Sequence, residues 1–431
     1  MRVLILGAYG FIGSALAREI ASRGHQVTGL GVDCSYGRRI LPHLEWIRAD
    51  LAEMTTVERW HRIVDGMDAI INASGLLQSG EGGSVEAVQL HAVRALVEAC
   101  EKASVRRIVQ ISAAGAAREA PSEFMATKAQ ADTLVAASAV PSLIVRPGLV
   151  IGRNSYGGTE LIRIAAAAPF ALTFPFEGQI HCAALADVVD AVADALGPHE
   201  MQAGTFDLVE RQPRSINSII GKHRQWLGLP EPRWSLPVPE WLLWLVSRTA
   251  DLLGHLGWRS PLRRNGLLAL RTGVEGDSEQ SVRLLRREPL SLEDALALQP
   301  AGKQDRLHAR LGLVQPLLLA SLAIMWAASG AATLLQIDRA AAILEHSGIA
   351  DVTARAIAIG GGWIDVLLTI GLLWRRTVRI TLLAMIFLTL VYVIGGSLLV
   401  PTLWADPLAP LAKALPATLL ALVAYWTLEK R

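Results

Sequence analysis

Between Arg310 and Asp338, and again between Arg379 and Asp406, this 431-residue chain carries no charged side chain. Such runs are rare in the core of a soluble domain, and about 20 apolar residues cross the hydrocarbon layer of a bilayer as a helix. Two further runs come close. Asp365 is the only charge between Arg355 and Arg375, and Lys413 the only one between Pro407 and Leu428. The pattern predicts four transmembrane helices, at roughly 312–335, 355–374, 379–402 and 408–428.

The charges that flank these runs orient them. Lys303, Arg306 and Arg310 precede the first helix, Arg375, Arg376 and Arg379 fill the second loop, and Lys430 and Arg431 end the chain. The first loop mixes Asp338, Arg339, Glu345 and Asp351, and the third holds Asp406 and Lys413. The positive-inside rule then makes the second loop and both termini cytoplasmic, with everything before residue 306 on that side. Trp374, Trp404 and Trp426 fall near predicted helix ends, where interfacial tryptophans sit.

Composition narrows the remainder. Hydrophobic residues make up 52% of the chain and charged residues 19%, which excludes a disordered polar chain. Lys plus Arg (41) nearly balances Asp plus Glu (39), so nothing in the charge favours nucleic acid as a partner. Cys34, Cys100 and Cys182 stand far apart and indicate neither a disulfide framework nor a cysteine metal site. There is no H-E-x-x-H, G-x-S-x-G or P-loop pattern, and no metal is expected.

The amino-terminal end holds the clearest chemistry. Val3-Leu4-Ile5-Leu6 reads as a buried strand, followed by Gly7-Ala8-Tyr9-Gly10-Phe11-Ile12-Gly13 and helical periodicity over 14–23. Arg2 and the apolar run have the outline of a signal peptide, but three glycines break the run and Glu19 follows. A strand, a tight turn and a helix fit better. Glycines there permit the turn and let the backbone approach a pyrophosphate, with the free N–H groups of the helix aimed at it.

Strands and helices continue to alternate. Strands are expected at 26–30, 45–48, 69–72, 107–111 and 142–145, and helices at 85–102 and 122–138. Apolar strands between amphipathic helices imply a parallel sheet covered on both faces, with ligands at the carboxyl ends of its strands. Gly7, Asp50, Gly75, Ser112 and Pro147 all fall at such ends.

With these pieces in place, residues 1–150 resemble an extended or atypical short-chain dehydrogenase/reductase of the NAD-dependent epimerase/dehydratase type. The resemblance rests on the glycine turn, Asp50-Leu51, Asn72-Ala73-Ser74-Gly75, Val109-Gln110-Ile111-Ser112 and Arg146-Pro147-Gly148. Residues 181–195 are similar to a later segment of that family, with Asp187 in its acidic position. The four apolar runs resemble the DoxX-like membrane family, whose members are often linked to quinone metabolism. The implied architecture is an α/β Rossmann-type doubly wound parallel sheet followed by an all-α four-helix transmembrane domain. Its expected divisions are 1–230, a membrane-proximal segment 231–305, and 306–431. The implied cofactor-binding residues are Gly7, Tyr9, Gly10, Phe11, Ile12, Gly13, Arg38, Asp50, Leu51, Ala73, Ser74, Gly75, Lys128 and Pro147. Asp50 would contact adenine, Ala73–Gly75 would line the cofactor, and Pro147 would border the nicotinamide. A bacterial inner membrane is the implied location.

The resemblance breaks at the reacting centre. Family enzymes carry Tyr-x-x-x-Lys, and this chain reads Phe124-Met125-Ala126-Thr127-Lys128. Ser112 and Lys128 remain as the catalytic candidates, without the tyrosine hydroxyl that moves a proton to or from the substrate oxygen. A similar loss is known in the complex I accessory subunit that holds NADPH. Tyr156, after Arg146-Pro147-Gly148, is the nearest substitute acid in sequence. An acid at the end of the second strand would favour NAD(H), and an arginine NADP(H). The strand ends Leu30-Gly31-Val32-Asp33, with Arg38 and Arg39 beyond, so NADP(H) is favoured over NAD(H).

Two regions carry two readings each. Trp241, Leu242, Leu245, Thr249, Leu252 and Leu256 share one helical face, interrupted by Arg248 and Asp251, with arginines at 259, 263, 264, 271, 283, 286 and 287 beyond. That is an interfacial helix on the cytoplasmic leaflet, or part of a subdomain that closes over the substrate. Asp365 either contacts a quinone or lipid headgroup or makes a hydrogen bond that holds the bundle together. Function divides likewise. One expectation is a membrane-bound NAD(P)-dependent oxidoreductase or epimerase acting on a quinone or lipid. The other is a non-catalytic NADP(H)-binding module of a membrane complex.

Overall fold

Successive residues of a strand point to opposite faces, so a strand apolar at every position must be covered on both. The computed structural model, which describes residues 1–79, 83–197, 201–258, 260, 262–407 and 409–428, bears this out. Val3 and Ile5 enter one apolar layer with Leu16, Ile20, Val188 and Val192. Leu4 and Leu6 enter the opposite layer with Trp60, Val64, Val93 and Leu96. The strands are β1 (Arg2–Leu6), β2 (Gln26–Gly31), β3 (Glu45–Arg48), β4 (Ala69–Asn72), β5 (Arg107–Ile111) and β6 (Ser142–Pro147). An edge strand, Gly204–Leu208, joins β6. Together they form a parallel sheet in the order Gly204–Leu208, β6, β5, β4, β1, β2, β3. The direction of winding reverses between β1 and β4, and their carboxyl ends form the crevice where such sheets hold ligands.

The chain divides into two compact units that do not follow the three blocks expected from sequence. One comprises Met1–Arg248 and Ser260–Arg306, the other Thr249–Arg259 and Leu307–Arg431. Residues 260–306 join the sheet-bearing unit because ion pairs and backbone bonds strap them to it. Arg287 pairs with the buried Asp187 (2.8 Å) and with Asp190 (2.7 Å). Asp187 also accepts the Leu290 N–H, so the family's acidic position serves here to hold the strap. Glu210, buried, accepts the Leu292 N–H, and Arg214 bridges Glu210 and Glu293.

Three helices among the described residues, in the second unit apart from the first four residues of one, are long and apolar enough to cross a membrane. They are Lys303–Leu335, Asp351–Leu373 and Val378–Leu399. The first is longer than expected, because Lys303, Arg306 and Arg310 lie within the helix rather than before it. A short helix, Ile337–Glu345, fills the first loop. The fourth expected span folds as Pro410–Thr427 and is not among the three. Its 18 residues reach about 27 Å, short of a hydrocarbon layer of about 30 Å, and Lys413 and Pro416 lower its apolarity. Asp365 is buried where the three spans meet, accepting hydrogen bonds from Ser329 (2.6 Å) and Tyr392 (3.2 Å). Of its two expected roles, the structure displays the bond that ties the bundle. Arg259, Lys430 and Arg431, named in the charge pattern, lie outside the described residues.

Candidate functional site

The glycine turn is dictated by close backbone approach. A methyl group on Gly13 would lie 2.2 Å from the Gly7 carbonyl oxygen, and one on Gly7 would lie 3.1 Å from the Ala73 carbonyl oxygen. Gly7 also has a φ of +71°, a conformation that L side chains rarely adopt. Gly10 is the N-cap of the helix Phe11–Ser22, and among the described residues no side chain caps that helix. The amino end of this helix is thus a ready anion site, bordered by Ala73 and Ser74.

Tyr9 leaves the turn and covers the end of β2. Its ring stacks on Trp46 (centroids 5.9 Å apart) and meets Tyr36 edge-on (6.0 Å). Its hydroxyl accepts the N–H groups of Val32 (3.2 Å) and Asp33 (3.3 Å). The aromatic cluster therefore closes the end of β2 beside the glycine turn. Arg39 is above the Tyr36 ring. Arg38, the arginine expected to bind the cofactor, instead lines a groove with Arg2, Glu45 and Arg62. Arg2 and Glu45 begin β1 and β3, so that groove is at the opposite end of the sheet from Gly7. The reason is helical: Arg38 is in the last turn of Cys34–Ile40, which leads back toward the start of β3.

The chain of contacts continues from the turn to the catalytic candidates. Asn72, at the end of β4, is buried, donates to Gln110 (2.9 Å) and accepts the Ser74 N–H (3.1 Å), which shapes the segment Ala73–Gly75. Lys128 is buried and donates to the carbonyls of Ser74 (3.2 Å) and Ile111 (2.8 Å). Burial drives its ammonium down to about 8, against the pull of Asp132. Asp50 accepts the Ala52 N–H beyond β3, and Leu51 is in the same turn. Pro147 ends β6, and its carbonyl accepts the Ala114 N–H.

Ser112 is at the expected strand end, but its hydroxyl is committed elsewhere. It donates to Asp132 (2.8 Å), which also accepts from Arg146 (2.8 Å). Asp132 is 3% exposed and Ser112 6%. Burial raises the Asp132 carboxyl above its ordinary value, while Ser112, Arg146 and Lys128 oppose that rise. The network braces β5, β6 and the helix Glu123–Ala136 from behind the site. Phe124 is half-buried one turn before Lys128, and Tyr156 is 60% exposed.

One further residue at the site was not anticipated. A wide π-helical turn, Ala87–His91, precedes the helix Ala92–Lys102, and the Ala92 N–H reaches back to the Ala87 carbonyl. The turn carries Gln89, 3% exposed, whose amide nitrogen donates to Leu76 O (3.2 Å) and the Thr127 hydroxyl (3.4 Å). Its Oε1 is buried and has no hydrogen-bond partner among the described residues. A methyl on Gly75 would meet Lys128 Nζ at 3.7 Å and Gln89 Oε1 at 3.9 Å, so a cation and an unsatisfied acceptor face the same bare backbone. π-turns inside helices often mark functional sites. The sequence signal was slight: a polar amide on the apolar stripe of an amphipathic helix.

A dinucleotide fits these residues. The glycine cradle leaves room for a pyrophosphate, and Lys128 with Gln89 offers a donor and an acceptor to a ribose. Comparison with known proteins agrees. Residues 7–195 match the NAD(P)H-binding family and residues 323–423 the DoxX-like family. Ceramide reductase of Caulobacter vibrioides is 28% identical over 195 residues, which are 44% of this chain and 58% of that protein. The chain thus spans a little over half the length of that relative. Sterol demethylase protein B of Methylococcus capsulatus is 24% identical over 71% of this chain and 99% of its own. In fold, the chain is similar to the UDP-glucuronic acid 4-epimerase of Bacillus cereus, solved with UDP-glucuronic acid and NAD. The TM-score is 0.51 at 17% identity, covering 72% of this chain and 99% of the epimerase.

Proposed function

We propose that this chain, an NAD(P)-binding epimerase-like domain joined to a DoxX-like membrane domain, is an NADP(H)-dependent oxidoreductase or epimerase-type enzyme acting on a lipid-soluble substrate, a quinone or a lipid carbonyl. The observation that carries the reading is the convergence of Lys128 and the orphaned Gln89 oxygen on Gly75, beside the glycine cradle. When bound, the cofactor supplies a hydride. The N–H groups from Phe11 to Gly13 would hold its pyrophosphate, Asp50 and Leu51 would border the adenine, and Ala73–Gly75 with Pro147 would line the remainder. Lys128 would hold the nicotinamide ribose. Three apolar spans on the same chain support a substrate that stays in the bilayer, because a water-soluble one needs no such tether. Two relatives whose names specify a ceramide and a sterol support the same class. The membrane would be a bacterial inner membrane, with the cofactor domain cytoplasmic, the carboxyl terminus joining it there when Pro410–Thr427 crosses as a fourth helix, and membrane lipids or quinone as the partners.

A second reading is favoured by the proton inventory. Phe124 has no hydroxyl and the Ser112 hydroxyl donates to Asp132, so neither offers a free proton to a substrate oxygen. On that reading the domain holds NADP(H) and stabilises or regulates a membrane complex. Purified protein in nanodiscs, given NADPH with quinone analogues or bacterial lipid extract, separates the two. NADPH oxidation that depends on a lipid-soluble acceptor is the expected result. Tight binding with no turnover on any acceptor leaves the binding module as the function.

A further inference from the structure

In the sheet-bearing unit several exposed large apolar side chains stand singly, but one set falls together. Trp234 is 80% exposed, Trp241 66%, Trp244 59% and Leu236 52%, with Phe170 at 39%. They are neighbours by construction of the fold. Ser235–Pro237 pairs with Ala171–Thr173, and the Ala171 N–H donates to Trp234 O, which brings Phe170, Trp234 and Leu236 to one short ribbon. Trp241 and Trp244 follow on the helix Glu240–His255. A contiguous exposed patch of this kind marks an interaction surface.

We propose that this ribbon and helix dock on a lipid bilayer, lying in the headgroup layer rather than against another protein. Three observations select the lipid. The exposed side chains are dominated by tryptophan, the residue enriched at membrane–water boundaries. Arg248 lies over the Trp244 ring (5.0 Å), so a cation that suits anionic headgroups sits on a ring that suits the acyl boundary. Beyond Arg248 the helix passes into the unit that holds the spans, where Trp258 Nε1 donates to Leu373 O (2.7 Å). Leu373 is the last residue of the second span, and the Arg375 N–H of the following loop donates to Leu256 O (3.0 Å). The carboxyl end of this segment is thus fixed at the level where a span leaves the bilayer. The helix cannot itself be a span: its 16 residues reach about 24 Å and include Glu240, Arg248 and Asp251. The inference needs no catalytic activity and stands whether the domain reduces a substrate or only holds a cofactor.

The test uses the full chain in phosphatidylcholine nanodiscs, with and without phosphatidylglycerol. Trp234→Cys and Trp241→Cys carry an environment-sensitive dye, and Glu53→Cys, on the far edge of the sheet and 73% exposed, is the control. The native cysteines are buried and leave the introduced thiol as the reactive one. The expected result is a blue-shifted emission at 234 and 241 that nitroxide-bearing lipid quenches and aqueous iodide does not, with the reverse at 53. Phosphatidylglycerol should deepen the quenching. Iodide access at either tryptophan position equal to that at 53 overturns the proposal. Shielding from both quenchers also overturns it, because a protein surface then covers the patch.

Discussion

A methyl group on Gly31 would stand 2.3 Å from Cε1 of Tyr9, so the residues at these two positions are chosen together. Tyr9 fills the space that a side chain at the end of β2 would need, the position where an acidic residue would favour NAD(H). Gly31→Asp alone should force the ring aside and cost about 1–3 kcal/mol, as overpacking does. Adding Tyr9→Thr should recover that loss, and the new carboxylate should turn cofactor preference toward NAD(H). Thermal midpoints and titrations of both nucleotides measure this. An unchanged nucleotide ratio in the double variant would show that the aromatic cluster does not read the ribose.

Lys128 leads to a pH dependence. Burial lowers its ammonium to about 8, so the charged donor is present below that pH and lost above it. NADPH affinity should fall as pH rises through about 8, by roughly 10- to 100-fold in all, the worth of a hydrogen bond to a charged group. Lys128→Met should start at the weaker affinity and show no such slope. Without cofactor, the group adds stability as pH climbs from about 8 to 10.5, because the unfolded chain still holds the proton that the folded one has released. Calorimetric titration across that range measures the affinity.

Phe124→Tyr restores a hydroxyl one helical turn before Lys128. A positioned general acid contributes about 10²–10⁴-fold. With Ser112 held by Asp132, the gain in reduction of simple ketones should be at the lower end, over a negligible wild-type rate. NADPH affinity should not change. Fast ketone reduction by the wild type, lost in Tyr156→Phe, would make the exposed loop tyrosine the acid instead.

Asp365 sets insertion against assembly. Asp365→Leu removes a charge that costs roughly 2.5–3.5 kcal/mol at a helix centre, so the second span should insert more readily. The bundle should nonetheless melt earlier in detergent, because Ser329 and Tyr392 lose their shared acceptor, at about 0.6–2 kcal/mol in membranes. Asp365→Asn should keep most of the stability. A higher midpoint for the leucine variant would show that the acid is kept for some other task.

Reporter fusions decide how many helices cross. Positions 343 and 405 should report the periplasm, and 305 and 377 the cytoplasm. Position 431 is the discriminating one: a cytoplasmic reading requires that Pro410–Thr427 cross, short as it is.

The sheet was legible because each buried strand is apolar at successive positions, which polar loops interrupt. Gly204–Leu208 escaped notice because only Phe206 and Leu208 pack inward and its pairing with β6 joins residues far apart in sequence. The glycine turn was legible for the same local reason. Side-chain direction was not. Ser112 could be placed at a strand end, but nothing local says that its hydroxyl faces Asp132. Asp132 itself reads as an ordinary helix carboxylate until Arg146 arrives from another strand. Gln89 gained its meaning only from the π-turn and from Gly75 and Lys128 alongside it. The strap was invisible for a similar reason, since the partners of Arg287 and Glu293 are about 70–100 residues away in sequence.

The crossing of the chain between its two units has a consequence for how such a protein can be taken apart or recombined. It leaves the sheet-bearing unit at Arg248, lends Thr249–Arg259 to the other, and returns for Ser260–Arg306. No single cut releases both halves whole. Truncation before the tryptophan ribbon strips the sheet of the strap that Asp187 and Glu210 anchor, and truncation after Arg306 carries off a piece of the other unit. A gene fusion joined at one seam has one boundary to respect. This chain has three, after Arg248, Arg259 and Arg306, and exchange of its membrane portion with a relative must respect every one.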